Sequence, residues 1–114
     1  MNIKTKHAIA KAIETFMYDT GLCQDTRIYF SNKCYDYDSN GKKTIIKNIV
    51  GSDYCKFSND ETITMTFEGP LCDVINYEFG RLNQKWYAFL QSIEDKYGYY
   101  TEMGYHWSLT FCEV

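Results

Sequence analysis

The chain has little proline and little histidine. Its 114 residues contain one proline (Pro70), two histidines (His7, His106) and seven scattered glycines. A lone proline and no Ser/Gly-rich run leave no place for a linker, so residues 1–114 are expected to form a single domain. No glycine-rich phosphate loop is present. The histidines stand at opposite ends of the sequence, and neither has a cysteine at zinc-ligand spacing, so no metal and no cofactor is expected. No apolar stretch approaches the ~20 residues of a membrane span. The start, MNIKTKHAIAKAIETF, places basic residues ahead of an apolar region as a signal peptide would. Lys11 and Glu14 interrupt that region and no small-residue cleavage site follows, so it reads as a helix of the mature protein.

Five cysteines (Cys23, Cys34, Cys55, Cys72, Cys112) are an odd number, widely spaced, without a CxxC pair. A disulfide framework shows an even count in a shorter chain. Free thiols in a reducing, cytoplasmic setting are the expectation. With 45% apolar and 24% charged residues the composition is that of an ordinary globular domain rather than a disordered chain. The net charge of −3 is unevenly spread. Residues 1–50 hold eight Lys/Arg against five Asp/Glu, and residues 51–114 hold four against ten. A nucleic-acid binder concentrates basic charge on one face. The acidic half points instead to a basic protein surface as partner.

Residues 5–19 carry an amphipathic helical pattern through Ile9, Ala12, Ile13, Phe16 and Met17, with Lys6, Lys11 and Glu14 off that stripe. Thr5 or Asn2 suits its start and Gly21 its end. TRIYF (26–30) and CYDYD (34–38) read as strands, and Ser39-Asn40-Gly41 as a hairpin turn leading to the β-branched segment 44–50. The clearest strand is 62–67, with Ile63, Met65 and Phe67 on one face. Thr62, Thr64 and Thr66 take the other, which predicts a half-solvated antiparallel sheet. Gly69-Pro70 opens a helix, with Asp73 in its first turn and Leu71, Val74, Ile75 and Tyr77 or Phe79 as its apolar side. A stronger stripe follows (Leu82, Trp86, Phe89, Leu90, Ile93, Tyr97) and closes at Gly98. Residues 70–97 thus hold one helix or two. A final strand alternates Tyr105, Trp107, Leu109 and Phe111 against His106, Ser108, Thr110 and Cys112. The expected fold is α+β: an antiparallel sheet of four or five strands, an N-terminal helix, and one or two helices before the last strand, with the helices on one face.

Catalytic constellations are weak. A Cys/His pair through His106 needs convergence in space and a third group to orient the imidazole. Asp36 and Asp38 share a strand face, and Asp60-Glu61 and Glu94-Asp95 sit at element ends; paired-carboxylate chemistry also needs a cleft and one raised pKa. The chain is therefore expected to be no enzyme. Tyrosine is the unusual feature, at eleven residues. Tyr97 and Tyr105 fit buried stripes. Tyr35 and Tyr37, which alternate with Asp36 and Asp38, and Tyr99 and Tyr100 next to Glu102, form the candidate partner-binding set, because tyrosine supplies contact area with a polar tip.

The expected function is a small non-catalytic binding or inhibitor protein. Its acidic side chains would stand in for phosphates and its tyrosines for stacked bases, covering the nucleic-acid-binding surface of a basic protein partner. In general profile such a chain resembles the anti-CRISPR and other anti-defence proteins of phages and mobile elements, a resemblance of type carried by no motif. The alternatives are a nucleic-acid-binding module, a small Cys/His enzyme and a homo-oligomer. The order helix, three strands, helix is shared with double-stranded-RNA-binding domains. Their basic cluster at the second helix is replaced here by Gly69-Pro70-Leu71-Cys72-Asp73, leaving Lys4, Lys6, Lys11 and Lys42-Lys43 as the basic sites.

Overall fold

The computed structural model describes residues 2–55, 58–59, 61–77 and 80–113; Asp60 and Phe79 lie outside the described residues. Helix α1 (Ile3–Thr20) is capped by the Asn2 side chain, which accepts from the Thr5 amide at 2.7 Å, and ends at Gly21 in the left-handed region. Six strands follow among the described residues: β1 (Thr26–Phe30), β2 (Lys33–Tyr37), β3 (Lys43–Lys47), β4 (Ile63–Phe67), β5 (Tyr99–Met103) and β6 (Ser108–Glu113). Helices α2 (Pro70–Asn76) and α3 (Arg81–Tyr97) stand between β4 and β5. Residues 70–97 therefore hold two helices, separated at Gly80, whose φ of 133° suits glycine.

The strands form one fully antiparallel sheet in the order β3-β2-β1-β4-β6-β5. The class is the expected α+β, with six strands in place of four or five. The additional strand is β5, which leaves α3 directly through the Gly98 cap. Ser31 and Asn32 connect β1 to β2 with φ of 50° and 57°, as the tight type I′ hairpin turn requires. The Ser39-Asn40-Gly41 turn is the longer connection between β2 and β3. Its Asp38 carboxylate accepts from the amides of Asn40 and Lys42 at 2.8 and 2.9 Å.

One core cluster joins buried residues of all three helices to alternate residues of the strands. Ile9, Ile13 and Met17 of α1, Leu71 and Val74 of α2, and Trp86 and Ile93 of α3 meet Ile28, Tyr35, Tyr37, Met65, Phe67, Leu109, Phe111 and Tyr99. The Gly69 cap of α2 approaches the segment ahead of β1 tightly: a Cβ at Gly69 would stand 2.1 Å from the Gln24 carbonyl oxygen, so only glycine fits. A smaller cluster of Tyr29, Cys34 and Cys55, with Ile46 and Ile49 against it, lies on the other sheet face beside the 3-10 turn Gly51–Asp53.

Several sequence expectations are corrected here. Thr62 and Thr64 are buried rather than solvated, and the Thr64 and Thr110 hydroxyls bond each other at 2.9 Å across their register pair, so burial leaves neither unsatisfied. Lys6 and Glu14, off the apolar stripe of α1, are nevertheless buried. Tyr105 is 52% exposed, because the final strand begins only at Ser108 and the alternation read back to residue 105 runs through a turn. Among the described residues no helix is long and apolar enough to cross a membrane.

Candidate functional site

The sheet face that carries Arg27, Asp36 and Thr66 holds a hollow of about 520 Å³. It grows from strand register. The two-residue turn at Ser31-Asn32 sets Arg27 opposite Asp36, and the guanidinium Nε donates to the Asp36 carboxylate at 3.1 Å. Arg27 Nη1 also donates to the Tyr29 hydroxyl at 3.4 Å. The Tyr29 hydroxyl and then the Asp36 carboxylate hold the Arg27 pKa above its ordinary value, while burial raises that of Tyr29.

The ladder runs one residue past β1. The Asp25 amide donates to the Asp38 carbonyl at 3.1 Å and the Glu68 amide to the Asp25 carbonyl at 3.0 Å. Asp38, Asp25 and Glu68 thus stand in a row across three neighbouring strands, and all three line the hollow. Carboxylates directly opposite one another repel. Four carboxylates and one guanidinium therefore face this concavity, a surplus of negative charge focused in one place.

Two aromatic stacks flank it. Tyr54, 54% exposed, stacks on Tyr29 with centroids 5.7 Å apart. Trp107, which also lines the hollow, stacks on Tyr105 at 4.9 Å and 13°. Asn76 Nδ2 donates to the His106 carbonyl at 2.6 Å and Cys72 Sγ to the same oxygen at 3.7 Å, which ties the turn bearing Trp107 to α2.

The candidate partner-binding residues separate into two groups. Tyr35, Tyr37 and Tyr99 are corrected to core positions: they are 5, 0 and 4% exposed, and the helices cover their face of the sheet. Asp36 and Asp38 come together on the hollow. Tyr100 and Glu102 are on the surface but at the far edge of the sheet, on β5. Asp25, Arg27, Tyr54, Glu68 and Trp107 escaped the sequence reading. The Arg27–Asp36 pairing could have been found from the two-residue turn, whereas the others meet only through the β1–β4 and β4–β6 pairings.

Four of the five thiols are shifted away from activation. Burial pushes Cys34 and Cys55 up to about 11 and raises Cys23 and Cys112 as well. A raised thiol pKa is opposite to what a nucleophile needs. The Cys72 and His106 approach runs through the His106 carbonyl. Among the described residues no group of three or more His, Cys, Asp or Glu could hold a metal ion. The basic sites are partly neutralised: Lys11 and Lys43 both pair with Glu14, at 3.5 and 2.6 Å, and Lys6 is buried.

No family model matches the chain, and no curated protein or solved structure matches it either.

Proposed function

We propose that this chain is a non-catalytic binding or inhibitor protein that sets its open sheet face on a basic surface of a protein partner and covers a surface the partner uses for nucleic acid. The observation that carries the reading is the row Asp38, Asp25 and Glu68, with Asp36 beside it, at a hollow flanked by the Tyr29–Tyr54 and Tyr105–Trp107 stacks. Carboxylates at strand spacing present negative charge where a bound strand would present phosphates, and exposed rings offer the flat faces on which bases stack. The class assigned is an anti-defence inhibitor of the anti-CRISPR kind, acting in the cytoplasm. Direct nucleic-acid binding fits less well, because Lys11 and Lys43 are committed to Glu14.

The test is an affinity pull-down of tagged protein from bacterial lysate, with and without nuclease, beside the Asp25→Lys/Glu68→Lys variant. The reading expects one stoichiometric protein that survives nuclease and is lost with the charge-reversed variant. A catch that disappears with nuclease, or one the variant retains in full, overturns it.

A further inference from the structure

The strand β5 closes one edge of the sheet, and among the described residues no strand neighbours its outer side. Its backbone direction follows from the ladder. The Gly104 amide donates to the Ser108 carbonyl at 3.1 Å, in continuation of the β5–β6 register. Alternation in an antiparallel pair then directs Glu102 and Tyr100 towards β6, opposite Thr110 and Cys112. Tyr99, Thr101 and Met103 turn their amide and carbonyl groups outward.

The two sheet edges are built differently. β3 carries lysine at both ends, Lys43 and Lys47, a pattern that discourages strand addition. β5 reads Tyr-Tyr-Thr-Glu-Met, with neither lysine nor proline, and its Tyr99, Tyr100 and Thr101 are residue types that pack well on a sheet. Tyr100 and Met103 are 41% and 42% exposed. Beside them, Tyr87, Leu90 and Glu94 of α3 line a hollow of about 390 Å³ that reaches Tyr99 and Thr101.

We infer that β5 is the interface of a two-fold dimer, in which a second copy of this chain adds its own β5 antiparallel and continues the sheet. An axis through Thr101 uses all three outward residues, with Thr101 opposite its copy and Tyr99 opposite Met103. That register forms about six main-chain hydrogen bonds. It also resolves the charge. Glu102 is the one charged residue of β5, and the axis places it opposite Tyr100, whose hydroxyl can donate to it, instead of opposite its own copy. Tyr99 against Met103 gives a ring–thioether contact. The α3 helices approach each other across the same axis, which adds Tyr87 and Leu90 to the buried surface. A five-residue strand pair with one helix contact is a small interface, so association at roughly micromolar Kd is expected. The docking hollow lies on β2, β1 and β4, so this inference stands independently of the proposed function.

Sedimentation velocity from about 5 to 300 µM should show the wild type moving from monomer towards twice that mass, across a micromolar Kd. Thr101→Pro removes an outward amide and Met103→Lys places charge on the edge; either variant, with an unchanged circular dichroism spectrum, should remain monomeric throughout. If Thr101→Pro fails to fold, Met103→Lys carries the test alone. Hydrogen exchange locates the interface: the amides of Tyr99, Thr101 and Met103 should gain protection with concentration, and those of β3 should not. A wild type that is monomeric at every concentration overturns the inference. So does a dimer that survives in folded Met103→Lys, or one that protects β3.

Discussion

The Lys43 ammonium lies 2.6 Å from the Glu14 carboxylate and 4.0 Å from the centroid of the Tyr35 ring, which joins the edge strand β3 to the first helix. The Tyr37 hydroxyl donates to the same carboxylate at 2.8 Å, and Lys11 stands 3.5 Å away. Burial alone would raise the Glu14 pKa. The hydrogen bonds from Lys43 and Tyr37, with the charges of Lys43 and Lys11, outweigh it and hold the carboxyl below its ordinary value. A carboxyl depressed on folding stabilises the native state above its unfolded pKa, and that contribution is lost as pH falls through the folded pKa. Glu14→Gln should therefore cost roughly 1–3 kcal/mol at neutral pH. The difference from wild type should shrink progressively as pH falls below the ordinary carboxylate range, as read by urea unfolding across an acid pH series. A constant difference would show that the charge on Glu14 is not what matters.

Tyrosines that look alike in sequence should behave oppositely on truncation. Tyr37 is fully buried, so Tyr37→Ala should cost about 3–5 kcal/mol and lower the melting temperature sharply. Tyr54 is half exposed at the rim of the hollow, and Tyr54→Ala should cost less than about 1 kcal/mol while weakening capture of the partner. Thermal melts beside the pull-down separate the two effects.

The buried hydroxyl pair of Thr64 and Thr110 should be strongly non-additive. Thr64→Val strands one hydroxyl without a partner and should cost about 1–2 kcal/mol, whereas the Thr64→Val/Thr110→Val double variant removes both polar groups and should recover most of the loss. A double-mutant cycle in denaturant measures the coupling; simple addition of the two single costs would contradict it.

The five free thiols should fall into kinetic classes. Cys34 and Cys55 are buried, with pKa values pushed up to about 11, and should react with a thiol reagent such as DTNB only through unfolding. Cys72 and Cys112 are partly exposed and should react first. Labelling followed by peptide mass spectrometry, with and without denaturant, assigns the classes; rapid native labelling of Cys34 would contradict the order.

Much of this architecture was legible because it is local. The stripe through Ile9, Ile13 and Met17, the caps at Gly21 and Gly98, and the alternation of Ile63, Met65 and Phe67 each follow from helix or strand period within a few residues. The composition of CYDYD likewise set Tyr35 and Tyr37 opposite Asp36. Period alone cannot say which of two mixed faces the helices will cover, so sequence offers both tyrosines as surface residues. The tertiary structure decided for burial, because α1 lies over that face and its Glu14 receives the Tyr37 hydroxyl and Lys43. β5 escaped notice since Tyr-Tyr-Thr-Glu-Met has no apolar alternation, and its strand character comes from pairing with β6. The hollow was the least legible feature of all. Asp25, Asp38, Glu68 and Trp107 are scattered in sequence and become neighbours only through the β1–β2, β1–β4 and β4–β6 ladders, so their shared electrostatic field belongs to the assembled sheet and to no segment of the chain.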